Sequence, residues 1–332
     1  MPLPDEDDFI DQDKTALTFE PADASAYAIP TVSGGARKYL PGDVVDHVFQ
    51  LTKLLGRGGM GVVFSCKHTG LNKTYALKLL SGENLSAESW KRFQAEAKVL
   101  ARLNHEGIVS IHNMGIDDGQ NPYFVMELLQ GTGMDVYLQR NGPMSLEVAL
   151  DCFILLADAL SSAHQQGIVH RDVKPANIMV SNDESHHRLA IKLMDFGIAR
   201  LSKDAGLMQT KTATGAVFGT PYYMSPEQTL GQKLDERSDI YSFGCTLYEA
   251  LTGRPPFVGG NAFQTFLMHQ NDAPPKISDH VRKEKIIPGD LEVVMQKALS
   301  KNLQHRYQTM KQLQYDLERV KKGKPVQSAA MT

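Results

Sequence analysis

His170-Arg171-Asp172-Val173-Lys174-Pro175-Ala176-Asn177 runs straight into an apolar stretch, Ile178-Met179-Val180. A polar excursion from Ser181 to Arg188 follows, then Leu189-Ala190-Ile191-Lys192-Leu193-Met194 and Asp195-Phe196-Gly197. Short apolar runs bounded by polar turns predict two short strands. Asp172 and Asn177 lie on the loop before the first strand, and Asp195 lies just after the second. A hairpin would bring all three to one end of the sheet. Oxygen ligands on a rigid frame, with a lysine beside them, suit Mg²⁺ and a transferred phosphate.

Toward the N-terminus, residues 48–80 read as strands. Val48-Phe49-Gln50-Leu51-Thr52-Lys53-Leu54-Leu55 leads into Gly56-Arg57-Gly58-Gly59-Met60-Gly61 and then Val62-Val63-Phe64. A turn falls near Asn72-Lys73, before Tyr75-Ala76-Leu77-Lys78-Leu79-Leu80. A G-x-G-x-x-G run alone is ambiguous between a dinucleotide fold and a phosphate lid. The dinucleotide fold needs a helix directly after the loop; strand-like residues follow here, so a β-hairpin lid is the better reading. Missing side chains let such a lid bring its backbone close to phosphates. Trp90, Phe93, Ala97 and Leu100 recur at three and four, which predicts a helix over 87–103. Residues 108–129 read as two further strands joined by Asp117-Asp118-Gly119-Gln120-Asn121.

Upstream of the opening stretch, residues 145–167 predict a long apolar helix, with Ser145 as N-cap and Gly167 at its end. His164, on that helix, has no partner at ligand spacing and reads as structural. Downstream, 236–252 predicts a helix opened by Asp235 and closed by Gly253, and further helices fall at 261–270, 290–299 and 309–321. Thr309 and Gln312 form a capping-box pattern. No internal repeat is visible.

H-R-D-x-x-x-x-N followed by D-F-G, behind the Gly-rich loop and a Y-A-L-K strand, resembles a Ser/Thr protein kinase, most closely the bacterial Hanks-type branch. The resemblance covers about residues 45–322. It implies an α+β, two-lobed protein-kinase fold: a small antiparallel β-sheet lobe with one main helix (about 45–129), then a larger, mostly helical lobe (about 134–322). Residues 323–332 are expected to form a flexible tail. The cofactors implied are ATP and Mg²⁺, with Mn²⁺ as a substitute. In this resemblance Lys78, held by Glu96, orients the α- and β-phosphates; Glu88 is the alternative partner, nearer the helix start. Asp195 and Asn177 hold the metal, Asp172 accepts the hydroxyl proton, and Lys174 steadies the γ-phosphate. Leu55, Gly56, Arg57, Gly58, Gly59, Met60, Gly61, Val63, Ala76, Met126, Glu127, Leu129 and Met179 line the nucleotide site. Met126 takes the gatekeeper position, the backbones of Glu127 and Leu129 meet adenine, and Gly131-Thr132-Gly133 is the hinge. An acid common near Gly133 is missing, and Asp135 is the substitute for the ribose contact. Asp239 braces the catalytic loop. Glu227, in Ser225-Pro226-Glu227 where relatives have A-P-E, pairs with Arg306. Residues 198–228 form the activation segment, with Gly219 to Glu227 as the platform for a protein substrate. Arg171 before Asp172 implies control by phosphorylation of that segment, at Thr212 and Thr214 first and Thr210 behind them. Partners implied are proteins with Ser or Thr hydroxyls, and a transient homodimer for trans-autophosphorylation. The alternatives are a catalytically weak pseudokinase scaffold, disfavoured because Lys78, Asp172 and Asp195 are all present, and a small-molecule phosphotransferase.

The chain has 332 residues, 42% hydrophobic and 22% charged, with a net charge of -3. These are ordinary globular values, and nothing in them points to nucleic acid or an anionic membrane surface. Cys66, Cys152 and Cys245 are far apart and odd in number, which argues against a disulfide framework or a zinc ribbon and favours a reducing compartment. No apolar stretch approaches the length of a membrane span, and the acidic start carries no signal-peptide pattern. A cytoplasmic protein is expected. Many relatives of this branch continue into a membrane span and sensor domains; sensing is expected elsewhere, or in the arm. Residues 1–44, with Asp5, Glu6, Asp7, Asp8, Asp11 and Asp13, read as a disordered acidic arm, solvated or carrying a site at Thr15, Thr18, Thr31 or Ser33.

Overall fold

The computed structural model describes residues 39–58, 61–80, 99–117, 121–183, 188–196, 221–281 and 286–327. The small lobe is an antiparallel sheet of β1 (Val44–Val45), β2 (Phe49–Gly58), β3 (Gly61–His68), β4 (Thr74–Leu80), β5 (Ile111–Ile116) and β6 (Pro122–Glu127), in the order β1-β2-β3-β4-β6-β5. The period of two along a strand sorts its side chains onto two faces. Leu77, Leu79, Tyr123 and Val125 join Val45, Phe49, Leu51, Phe64 and Cys66 in a core belonging to this lobe alone. Ala76, Leu80, Phe124 and Met126 point the other way and enter the main core, shared with the helical lobe. Lys78 lies between Ala76 and Leu80 in the alternation and is 6% exposed.

Gly58 pairs with Gly61 across the lid hairpin, so strand continues directly out of the glycine loop. A Cβ on Gly61 would lie 1.9 Å from the Leu79 carbonyl oxygen, and its φ is +150°. Only glycine lets β3 lie so close to β4 there. The turn at the far end of β3 is tight, with Asn72 at φ 52° and the His68 N–H bonded to the Lys73 carbonyl.

The linker leads through β7 (Thr132–Gly133) into α1 (Met134–Asn141) and α2 (Leu146–Gln165). Ser145 caps α2 by accepting from the Val148 N–H, as its position predicts. A second sheet, β7-β8-β9, holds β8 (Ile178–Asp183) and β9 (Arg188–Leu193), the hairpin anticipated from the opening stretch. Next come a short helix α3 (Pro226–Thr229), then α4 (Glu236–Thr252), α5 (Ala262–Asn271), α6 (Gly289–Ala298) and α7 (Met310–Lys321). Leu150, Phe153, Leu156, Ala157 and Leu160 bury one stripe of α2. Phe153 meets Phe243 of α4 edge to face at 5.2 Å. Asp235 and Gly253 bound α4 as anticipated, Gly253 at φ 82°. At α7, Thr309 accepts from the Gln312 N–H, but the Gln312 side chain takes the Gln308 N–H, so the anticipated box is displaced by one residue. The reciprocal box forms at Ser225 and Gln228 instead.

Both ends of the packed region reach further than composition indicated. Tyr39 donates to Asp117 at 2.6 Å and the Gly42 N–H to the Leu51 carbonyl, so residues 39–43 lie against the sheet. Val326, 4% exposed, is buried, and its N–H and that of Gln327 are taken by Asp290 and Asp316. Residues 323–327 therefore pack back onto α6 and α7. All three cysteines are free and buried. No helix among the described residues is long and apolar enough to cross a membrane.

Arg306, 1% exposed, donates to both carboxylate oxygens of Glu227, at 2.9 and 3.3 Å, and to the carbonyls of Arg237 and Ser300. Burial works to raise the Glu227 carboxyl, but hydrogen bonding and charge from Arg306, with help from Ser238, outweigh it and hold the group below its ordinary range. A carboxyl held low stabilises the fold above its unfolded-state pKa, and the contribution is lost as pH falls through the folded value. Removing one partner of a buried pair costs about 3–5 kcal/mol. Arg306→Met should lose that much near neutral pH. Its Glu227 carboxyl, then opposed mainly by burial, should titrate high, so the deficit against wild type should shrink from about pH 7 to about pH 5. Urea midpoints at the two pH values test this.

Candidate active site

The β8–β9 hairpin pairs Ile178 with Leu193, which sets the residues before β8 beside those after β9. The Met194 N–H donates to the Asn177 carbonyl at 2.9 Å, so Asn177 and Asp195 are joined through one residue. Asn177 uses both amide hydrogens on Asp172, one on its backbone carbonyl at 2.7 Å and one on Oδ2 at 2.9 Å. Its Oδ1 is thereby the atom left to ligate a cation. Lys174 Nζ lies 2.8 Å from the same Asp172 Oδ2. Asp172, Lys174 and Asn177 are brought together as the spacing predicts.

Backbone strain accompanies this arrangement. Arg171 sits at φ 68° and Asp195 at φ 59°, the left-handed region that costs a non-glycine residue energy. Arg171 is held there from both sides. Its N–H donates to Asp239 Oδ1 at 2.7 Å, and its carbonyl accepts from Gln228 Nε2 at 2.7 Å. Asp239, fully buried, also takes the His170 N–H at 2.7 Å and His164 Nε2 at 2.8 Å. His164 is thus structural, as read above. His170 accepts from the Asp172 N–H at its Nδ1, so its proton lies on Nε2 and goes to the Met194 carbonyl at 2.8 Å. Its ring also meets Phe196 edge to face at 4.7 Å.

From the small lobe, Lys78 Nζ reaches Asp195 Oδ1 at 2.7 Å. The expected partner Glu96, with its alternative Glu88, lies outside the described residues, as do Gly59, Met60, Thr210, Thr212 and Thr214. Ala76 and Met126 are paired across β4 and β6, and Val63 pairs with Lys78, which groups the expected nucleotide-site residues of this lobe at one place in the sheet. Leu55 is 38% exposed, on the strand entering the glycine loop. Gly56 and Arg57 continue that strand, paired with Val63 and Val62. Met179 of β8 pairs with Gly133. Leu129 is partly buried against the main core. At the linker, a Cβ on Gly131 would lie 2.3 Å from the Val180 carbonyl oxygen, so only glycine passes there. Asp135 folds back over Gly133, where an added Cβ would meet its Oδ1 at 2.4 Å.

Several contacts escaped the sequence reading. The Glu127 side chain, not only its backbone, is engaged: Oε1 accepts from the Ser110 N–H at 2.8 Å and from Lys192 at 2.7 Å. Tyr223 donates to Glu249 Oε2 of α4 at 2.5 Å. Burial, then the Tyr223 hydrogen bond that opposes it and the Asp135 charge, leave the Glu249 carboxyl raised. Gln228 was signalled by its spacing from Ser225, a capping-box pattern; the other pairs span too many residues for any local signal.

A two-lobed fold with a lysine from the sheet lobe on one acid, beside a second acid braced by lysine and asparagine, defines a protein-kinase-class site. Residues 49–317 match the protein kinase domain family. The chain is 41% identical over 281 residues to the serine/threonine-protein kinase PknB of Mycobacterium tuberculosis, covering 83% of this chain and 43% of that protein. It is 39% identical over 288 residues to a probable serine/threonine-protein kinase, SCO3848, of Streptomyces coelicolor, covering 85% of this chain and 41% of that protein. Among solved structures, the PknI kinase domain of Mycobacterium tuberculosis (a double mutant) superposes with a TM-score of 0.64 at 26% identity, covering 85% of this chain and 99% of that one. The chain belongs to the protein kinase family, in its bacterial Ser/Thr branch. It spans less than half the length of these curated relatives.

Asp239→Asn tests the brace. The amide would turn a donor toward one of three donors, leaving at least one buried N–H without an acceptor, at a cost of about 1–3 kcal/mol. The expected outcome is faster hydrogen exchange at the His170 and Arg171 amides and about a tenfold or greater fall in kcat, since small misplacements of a positioned group are costly.

Proposed function

We propose that this chain transfers the γ-phosphate of Mg-ATP to Ser and Thr hydroxyls of proteins. The observation that carries the reading is the convergence at one site of the Asp172–Lys174–Asn177 cluster and the Lys78–Asp195 pair. Asp172, its Oδ2 held by two donors, would accept the proton of an attacking hydroxyl. Lys174 would neutralise charge on the transferred group. Asn177 Oδ1 and the Asp195 carboxylate fit a hard cation such as Mg²⁺, which takes one or two protein ligands and completes its shell with phosphates and water. Mg²⁺, when bound, offsets charge developing on the phosphoryl oxygens. Lys78 and Asp195 offset each other's burial in the pair; phosphate oxygens suit the first and a cation the second. Leu129, Glu127 and Met126 would meet the adenine, Gly56 to Gly61 would cover the phosphates, and Asp135 would reach the ribose. Glu96 would be the further partner of Lys78. No feature of the site favours a scaffold without catalysis.

Segment 221–228 meets the catalytic loop through Gln228 and Arg171, one residue before Asp172. An acceptor hydroxyl reaching Asp172 passes beside it, so this segment is the platform for a protein substrate. Activation by autophosphorylation between two copies of the chain completes the reading, at Thr212 and Thr214 before Thr210. A phosphate there adds charge of about -1.5 to -2 and would pair with Arg171.

Asp195→Asn should lower Mg-dependent transfer by about a hundredfold or more, because the site's main anionic donor is gone. Lys78→Met should raise the KM for ATP and lower kcat. Mass spectrometry after incubation with Mg-ATP should find phosphate on Thr212 and Thr214, and the Thr212→Ala/Thr214→Ala chain should be less active. Unmodified threonines or undiminished activity would remove the switch from the proposal.

A further inference from the structure

Beneath the platform lies a polar chain that phosphoryl transfer does not use. Lys301 Nζ donates to Tyr241 Oη at 2.9 Å and to the Met268 carbonyl at 3.3 Å, with Nζ 3.9 Å from the centre of the Phe257 ring. Tyr241 Oη lies 3.0 Å from His269 Nδ1. An ammonium has no lone pair to offer, so Tyr241 accepts from Lys301 and must send its own proton to His269. Nδ1 is then the acceptor, and the imidazole proton sits on Nε2. His269 is fully buried, and α5, which carries it, packs against the turn Pro221–Tyr223. The backbone of Pro221 and Tyr222 favours the His269 proton, as carbonyl acceptors do. Yet Nε2 forms no well-made hydrogen bond there. One directed donor in the chain thus ends, loosely, at the platform backbone.

We propose that His269, oriented by Lys301 through Tyr241, is a positioning residue that sets the backbone of Pro221–Tyr223 for the acceptor protein, its loose Nε2–H contact tightening when an acceptor docks. This rests on the reading of 221–228 as the substrate platform. The chain runs one way only while Lys301 is charged, because a neutral amine can also accept and Tyr241 then has a second place for its proton. Burial, the largest influence, brings the Lys301 ammonium down to about 8. Burial and the Lys301 charge push His269 down to about 3, so the ring stays neutral throughout. Around Lys301 stand Cys245 of α4, whose thiol burial raises far out of range, Asp272 at the end of α5, and Arg306. The titration that matters near that pH is therefore that of Lys301.

The test is steady-state kinetics of the full chain with Mg-ATP and dephosphorylated casein, beside amide hydrogen exchange at Tyr222–Met224. Losing one hydrogen bond in the chain predicts, for Tyr241→Phe, a rise of about threefold to tenfold in KM for casein with KM for ATP little changed; leaving the Lys301 ammonium and His269 Nδ1 short of a partner also lowers the thermal midpoint. His269→Leu should match it. His269→Gln, which keeps a side-chain donor, should stay near wild type. In wild type the casein KM should rise as pH passes about 8; in Lys301→Arg, which stays charged, and in Tyr241→Phe it should be flat. Exchange at Tyr222–Met224 should quicken in Tyr241→Phe. An unchanged casein KM in Tyr241→Phe, or a rise shared equally by the KM for ATP, overturns the proposal. Wild type that phosphorylates no casein instead overturns the functional reading, and the exchange measurement then decides the positioning role alone.

Discussion

A carboxylate sealed from water is costly unless its oxygens are fully engaged. Asp239 of α4 is such a group, and the catalytic end of the molecule depends on how it is satisfied. Its partners are the backbone N–H groups of His170 and Arg171 and the imidazole of His164. One carboxylate serves all three donors, so the loop cannot relax without exposing donors and acid together. This constraint holds Arg171 in its left-handed conformation. Asp172 follows directly, and its carboxylate is aimed by that backbone before any ligand arrives.

The same logic recurs outward from this point. Gln228 takes the Arg171 carbonyl while closing its own capping box with Ser225, so a helix cap and the catalytic loop share one side chain. Glu227, next to it, is pinned by Arg306 and Ser238, the latter one residue before Asp239. Residues 225–228, α4 and the loop from His170 to Asn177 are thereby joined in one buried polar network. Buried pairs of this kind contribute little net stability against apolar replacements. Their value here is geometric: each partner has one place where its charge is matched.

The link between lobes is of a different kind. The main core continues from the inner sheet face through Phe124 and Met126 into the helical lobe. Residues 107–109 run beside β9, exchanging backbone hydrogen bonds with Leu193, and Glu127 reaches Lys192 two residues short of Met194. The segment that ends in Asp195 is therefore fastened to the sheet lobe on one side and to the catalytic loop through Asn177 on the other. Lys78 meets Asp195 at this junction.

Much was legible in the amino-acid sequence because its causes are local. Alternation set the strands, three-four spacing set α2 and α4, and Ser145, Asp235 and Gly253 marked their ends where short-range backbone chemistry requires them. The order of His170 to Asn177 and Asp195 to Gly197 carried the candidate catalytic cluster, since a short hairpin leaves little freedom in what it joins. The box at Ser225 was equally local but was read only at Thr309, where Gln312 turned to a different N–H. Composition misjudged the ends: residues 39–43 and 323–327 look like linker, yet Asp117, Asp290 and Asp316, distant in the chain, capture them. The tertiary structure alone decided the rest. That Lys78 meets Asp195, that Glu127 uses its side chain, and that Lys301, Tyr241 and His269 line up beneath Pro221 all depend on residues tens of positions apart. Their pairing follows from how buried polar groups must find partners once the core has closed, and no local pattern encodes which partner that is.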